Sequence, residues 1–321
     1  MAADYKENCV ITPATDMYAS RSDRAAGIVQ RRDPVVYGDP KSAPGSALDA
    51  EQLGSYERDG FLFMKNFFST QETATLLREV QRLAQDPAIK RREEAITERG
   101  SDAVRSVFMV HKLSKVLGRL AQDMRLVNIA RQILGSEVYI HQSRANIKPG
   151  FKGKEFYWHS DFETWHVEDG MPSMRALSCS VLLTDNDASN GPLMLMPGSH
   201  RQFVSCVGET PQDHYKQSLK KQEYGVPDTL SLQLLADRGG LETVTGPAGS
   251  VVFFDCNTMH GSNSNISPSA RSNVFMVYNS VENALGAPRF GLDPRPEFIA
   301  TRDQFTPLTP LEPSYLKAVH N

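Results

Sequence analysis

Apolar and polar positions along the chain change their spacing twice. Residues 1 to about 46 are polar, carry scattered Pro and Gly and hold no sustained period. They read as an N-terminal arm, extended on the domain or partly disordered. From Leu48 to Gly135 the spacing is helical. A short helix in LDAEQLGSYERDG ends at Gly60, a suitable C-cap, and Phe61, Leu62 and Phe63 follow as a brief strand. Ser69 stands three residues before Glu72, a capping-box pattern that predicts a helix to about Asp86, just before Pro87. Leu113, Val116, Leu117, Leu120, Val127 and Ile133 keep helical spacing and predict one further amphipathic helix. Residues 87–106 between them are dense in charge. They read as a solvated surface connection, with a solvated helix or a mobile lid as alternatives.

Past Gly135 the period becomes two. In residues 138–148, Gln142, Arg144, Asn146 and Lys148 alternate with His141, Ser143, Ala145 and Ile147. Residues 176–184, 250–256 and 271–281 are further strands, and turn signals at 190–192 and 197–199 frame a short one at 193–196. Short strands at irregular intervals predict a mainly β fold, a sandwich or jelly roll buttressed by the preceding helices. Residues 205–240 are too long for a bare hairpin loop and are a lid candidate. The expected division is thus an arm over 1–46 and one domain over 47–321, with helices at about 48–135 and the strand core at about 138–281.

Composition adds mainly exclusions. The 321 residues are 40% hydrophobic and 23% charged with a net charge of −3. That is ordinary for a globular chain and gives no basic excess to attract nucleic acid or an acidic membrane surface. No apolar run approaches the roughly 20 residues of a membrane span, and the first residues lack a secretory pattern. Cys9, Cys179, Cys206 and Cys256 are scattered without metal or disulfide spacing. They read as free thiols, and the chain as a cytoplasmic protein.

The densest candidate chemistry is FYWHSDFETWHVEDGMP, residues 156–172. On an extended strand His159 and Asp161 would project to one face. With a distant second imidazole, His260 in FFDCNTMHGSNSN, they match the 2-His-1-carboxylate triad of non-haem Fe(II) oxygenases. Two alternating strands put Arg271, Asn273 and Phe275, and Gln142, Arg144 and Asn146, on single faces; with a metal pair nearby, these faces are expected to line a cavity. Arg271 suits a carboxylate through two parallel hydrogen bonds. Trp165 fits either a core position or an aromatic face for a cation. His200 is expected to hydrogen-bond its turn. His111, His141, His214 and His320 default to structure or surface, and His166 more often does so than serves the site.

These segments resemble the 2-oxoglutarate-dependent phytanoyl-CoA dioxygenase superfamily, through HSD…H…R, RDGFLFMKNFFS and NGPLMLMPGSH. Within it, WHSDFETWHVEDGMPSMRALSCSVLLTDN, CNTMHGSNSN and RPEFIATRD are similar to the ectoine hydroxylases, from roughly residue 16 to the C-terminus. The resemblance implies a double-stranded β-helix, a cupin-like jelly roll, and typically a homodimer. His159, Asp161 and His260 would be the catalytic ligands of Fe(II). Arg271, Asn146, Phe108, Ser178 and Ser262 would bind 2-oxoglutarate; Gln142, Thr164, Trp165, Asn273, Phe275 and Arg295 would bind ectoine. Arg144 has no assigned role. The implied reaction uses O2 and 2-oxoglutarate to convert ectoine to 5-hydroxyectoine, releasing succinate and CO2, in compatible-solute synthesis. The alternatives are the same chemistry on another small amino-acid-like substrate such as proline, a metal-free ligand-binding module, or a zinc hydrolase.

Overall fold

The computed structural model describes residues 16–21, 26–39, 46–97, 103–208, 210–211, 225–303 and 305–316. The helical half begins where the polar spacing asks for it. In α1 (Ala50–Asp59) the Asp49 carboxylate accepts from the Gln52 amide, the Gln52 side chain accepts from the Asp49 amide, and Gly60 closes the helix in the left-handed region at φ 82°. In α2 (Thr70–Gln85) Ser69 and Glu72 exchange the predicted reciprocal bonds.

The expected long second helix is three: α4 (Val110–Leu113), α5 (Lys115–Ala121) and α6 (Met124–Leu134). Ser114 and Asp123 break it, because each side chain accepts from a backbone amide of the next helix, that of Leu117 and that of Arg125, and so starts a new one. The charged stretch after α2 corrects the solvated-connection reading in part. It forms α3 (Pro87–Lys90), the edge strand β3 (Ala95–Thr97) and the start of β4 (Val104–Phe108), whose residues are all buried.

The remaining strands are β1 (Gly27–Gln30), β2 (Phe61–Met64), β5 (Val138–Lys148), β6 (Phe156–His159), β7 (Ala176–Leu182), β8 (Leu193–Leu195), β9 (Gln202–Ser205), β10 (Glu242–Thr243), β11 (Val251–Asp255), β12 (His260–Ser262) and β13 (Arg271–Ser280). Seven form one sheet in the order β2-β11-β7-β13-β5-β4-β3, and four form a second in the order β10-β8-β12-β6. This is the predicted jelly-roll core. On β13, Val274, Met276 and Tyr278 face the helices and join Leu76, Leu120, Val127 and Ile133 in the main core. Its alternate residues face the small sheet, where Phe275 packs with Leu193, Leu195 and Phe254. Each large-sheet strand thus has one dry face under the helices and one face turned to the space between the sheets.

The arm lies on this body. β1 pairs antiparallel with β9, and Tyr18, Arg21 and Arg31 are buried. Most of the expected lid at 205–240 lies outside the described residues. Its described end is α8 (Thr229–Gly239), where Leu232 and Leu235 pack on Met196, Val204 and Met259. No helix among the described residues is long and apolar enough to cross a membrane.

Candidate metal centre

His159 ends β6 and His260 begins β12, and the two are direct cross-strand partners. Asp161 is not on the strand, as its two-residue spacing from His159 suggested. The chain turns at Ser160, and Asp161 is the first residue of α7 (Asp161–Asp169). A helix N-terminus favours the carboxylate there. All three side chains still converge: the His159 and His260 Nε2 atoms lie 3.8 Å and 3.9 Å from Asp161 Oδ1. Those gaps are too long for hydrogen bonds and short enough for one ion, since metal bonds of about 2.0–2.2 Å span up to roughly 4.4 Å.

The protein also fixes which nitrogens are offered. His159 Nδ1 donates to the Tyr157 carbonyl at 2.7 Å and His260 Nδ1 to the Thr258 carbonyl at 2.9 Å. A carbonyl only accepts, so each Nδ1 carries a hydrogen and Nε2 is the nitrogen left to face a metal. Burial, followed by the neighbouring His260, pushes His159 down to about 3, which keeps it a neutral ligand. Burial would push the Asp161 carboxyl up, but His260, His159 and Arg144 hold it below its usual range. Ser178 Oγ donates to Asp161 Oδ2 at 3.1 Å and leaves Oδ1 toward the imidazoles. Two imidazoles and one carboxylate are the donor set of a facial Fe(II) site.

A cavity between the sheets opens on this cluster, lined from the small sheet by Phe156, His159, Leu193, His260, Gly261 and Ser262, and from the large one by Arg144, Asn146, Arg271 and Phe275. Strand register explains the second wall. Gln142 lies beside Val277, Arg144 beside Phe275 and Asn146 beside Asn273, and cross-strand partners share a face. Arg271 is 5% exposed, its Nε has no hydrogen-bond partner, and no carboxylate among the described residues pairs with it. Burial alone draws it down to about 10. A buried guanidinium without a counter-ion, facing a metal site across a cavity, is the signature of a missing anion.

The sequence profile described as phytanoyl-CoA dioxygenase matches residues 56–273. The chain belongs to the phytanoyl-CoA dioxygenase family. Within this family it is 74% identical over 303 residues to a protein of Bordetella bronchiseptica named ectoine dioxygenase, covering 94% of this chain and 98% of that protein. It is 51% identical to the Halomonas elongata protein of the same name, covering 93% and 90%. Its fold superposes on the crystal structure of EctD from S. alaskensis with 2-oxoglutarate and 5-hydroxyectoine with a TM-score of 0.84 at 48% identity, over 92% of this chain and 98% of that one. Another structure of that EctD, with bound Fe, superposes with a TM-score of 0.83 at 46% identity, over the same shares.

The other residues suggested by the family resemblance divide into two groups. Asn146 and Ser262 line the cavity. Phe108 lies beside Arg144 in the sheet, and Gln142 and Asn273 are buried in the same inward rows. With its amide oriented to suit its neighbours, Asn273 accepts from Arg271 Nη1 at 2.9 Å. Ser178 meets the Asp161 carboxylate. Three residues make other contacts. Thr164 Oγ1 accepts from Arg21. Trp165 packs in a core cluster with Tyr18, Phe162 and Met171, its ring 4.9 Å from His141. Arg295 makes a bidentate bond to the buried Asp169 at 2.7 Å and 2.5 Å.

His166 serves structure: Nδ1 bonds the Met171 carbonyl and Nε2 bonds Asp16. His200 reaches the Glu57 carbonyl, and His111 bonds Ser143. His214 and His320 lie outside the described residues. Two further polar residues belong to this region. Lys148 Nζ donates to Ser262 Oγ at 2.7 Å, and Arg144 lies over the Phe275 ring on the cavity wall. The signal for both in the sequence is the two-residue period they share with Gln142 and Asn146.

Proposed function

We propose that the protein is an Fe(II)- and 2-oxoglutarate-dependent dioxygenase that hydroxylates ectoine to 5-hydroxyectoine. The observation that carries this reading is the pairing, across one cavity, of a His-Asp-His cluster with a buried guanidinium that lacks an anion. His159, Asp161 and His260 hold Fe(II). When bound, the iron supplies the oxidative chemistry: one O2 is divided between the substrate C–H, which becomes C–OH, and 2-oxoglutarate, which becomes succinate and CO2.

The chain's own residues prepare and aim that event. Carbonyl bonds hold both imidazoles in one tautomer, and Ser178 orients the Asp161 carboxylate. Arg271 takes the distal carboxylate of 2-oxoglutarate in a two-pronged bond, and Asn146, Phe108 and Ser262 shape the space around it. Ectoine meets the inward row of Gln142, Asn273 and Phe275, where an aromatic face suits its delocalised cation. Thr164, Trp165 and Arg295, the other expected ectoine contacts, are held by Arg21, by the Tyr18–Phe162 cluster and by Asp169 respectively. A small zwitterion held by a few fixed polar groups fits a cavity of this character.

Anaerobic loading with Fe(II), 2-oxoglutarate and ectoine, followed by O2, yields 5-hydroxyectoine and one succinate per product. Succinate formation coupled to proline and not to ectoine would move the assignment to another substrate of the same chemistry. The buried free thiols of Cys179, Cys206 and Cys256 support a cytoplasmic setting. We also propose a homodimer, which light scattering of the purified protein tests directly.

A further inference from the structure

Two arginines of the N-terminal arm, Arg21 and Arg31, are 2% and 8% exposed, and each spends all five guanidinium donors inside the protein. Arg21 Nε and Nη2 grip Glu163 at 3.0 Å and 2.7 Å. Its Nη1 reaches Glu168 at 2.5 Å and Thr210 at 2.8 Å, and a second Nη2 hydrogen bonds Thr164 at 3.1 Å. Glu163, Thr164 and Glu168 all belong to α7, the helix whose first residue is Asp161. Arg21 itself sits at φ 53°, a left-handed conformation that a non-glycine residue adopts only where its surroundings enforce it.

Arg31 works on the other half of the site. It bonds the carbonyls of Asp33, Pro34, Met174 and His200, and pairs with Asp255 at 2.8 Å. The same Asp255 oxygen accepts from the Asn257 amide, and Asn257 Oδ1 accepts from Ser160 Oγ at 3.0 Å. Ser160 stands between His159 and Asp161, and residues 255–259 lead directly into His260. The Phe162 amide closes the junction by donating to the Cys256 carbonyl at 2.8 Å.

We propose that the arm is a clamp on the iron site: Arg21 fixes the helix that starts at Asp161, and Arg31 fixes the turn that delivers His260, so both are positioning residues. The inference rests on reading His159, Asp161 and His260 as the Fe(II) ligands. The arm lies outside residues 56–273, the span matched by the family profile. A buried carboxylate deprived of its cation must move toward water or take a proton. Glu163 is two residues from Asp161 on one rigid turn, so its movement carries Asp161 along. Metal bonds tolerate displacements of only about 0.2 Å.

The test compares full-length wild type with Arg21→Gln, Arg31→Gln, Arg21→Lys and a surface control, Arg58→Gln, whose side chain is 68% exposed. The probe is Co(II), titrated by its visible absorption, with kcat and the KM for 2-oxoglutarate measured separately. Loss of an outer partner of a metal site costs about 10- to 100-fold in affinity. Arg21→Gln and Arg31→Gln are therefore expected to weaken Co(II) about 10-fold or more, alter its spectrum and lower kcat. The KM for 2-oxoglutarate stays near wild type because Arg271 is untouched. Arg21→Lys recovers part of the loss, since it restores charge without the fork, and Arg58→Gln matches wild type.

Co(II) affinity and spectrum unchanged in both Gln variants, with only thermal stability reduced, overturn the clamp. Should Arg21→Gln fail to fold, Arg21→Lys and Ser160→Ala carry the same test, and unchanged Co(II) binding in both is equally fatal. His159→Ala separates the two ideas. If it binds Co(II) as wild type does, the site assignment fails; if it does not, unchanged arm variants sink the clamp alone.

Discussion

His159 and His260 face each other across an antiparallel strand pair, their ring centroids 4.2 Å apart, and each donates its Nδ1 hydrogen to a backbone carbonyl two residues earlier. The two rings are thus aimed by main chain, and neither depends on the other for its tautomer. His260→Ala is expected to abolish stoichiometric Fe(II) binding and turnover while leaving the fold intact. Metal analysis with far-UV circular dichroism checks both halves. Chelation of wild type reproduces the loss, and added Fe(II) reverses it.

Arg271 supplies the next expectation. A truncated partner of a buried charge pair typically costs about 2–5 kcal/mol, so Arg271→Ala raises the KM for 2-oxoglutarate by about 30-fold or more. Arg271→Lys falls between, because one ammonium cannot make two parallel bonds. Neither change alters Fe(II) binding in the absence of cosubstrate. Steady-state kinetics with an unchanged 2-oxoglutarate KM would refute the anion grip.

Asp169 is fully buried, and its bond to Arg295 dominates its surroundings. Burial pushes its carboxyl up, but the Arg295 guanidinium and His141 outweigh that and hold it at about 2, below the usual carboxylate range. The sign follows: a depressed folded pKa contributes stability above pH 4 that is lost as the pH falls toward 2. Arg295→Ala strands a buried charge and is expected to cost about 3–5 kcal/mol, with a shallower decline of stability over that window. Denaturant melts from pH 7 to pH 2 measure both. A variant of wild-type stability with only the ectoine KM raised would instead make Arg295 a substrate contact.

Ser69→Ala tests the helix start read from the sequence. The hydroxyl accepts from the Glu72 amide and donates to its carboxylate. Its loss is expected to cost about 1 kcal/mol, with kcat unchanged, by urea unfolding and assay.

Legibility in the sequence followed how regular each environment is. Ser69 with Glu72, and β13 with its alternation of Asn273 and Phe275 against Val274 and Met276, each sit at a boundary between water or cavity and core, so the local period reports the surface. Helix α7 has no such boundary. Phe162, Glu163, Trp165, His166, Val167, Glu168 and Asp169 are all buried, which erases the 3.6-residue period and left Asp161 looking like part of a strand. Arg295 suits an anion by its chemistry and by the family resemblance. Its partner Asp169 comes from a segment far away in the chain, which no local spacing reveals. The same holds for Arg21 and Arg31, whose partners lie more than a hundred residues on.

The two walls of the cavity belong to different sheets: His260 and its cross-strand partner His159 stand on the small one, Arg271 on the large one. On the proposed function, a dicarboxylate held at one end through iron and at the other by Arg271 would therefore act as a rivet through the sandwich. Thermal shift should record it as synergy, with metal and cosubstrate together raising the melting temperature by more than the sum of each alone.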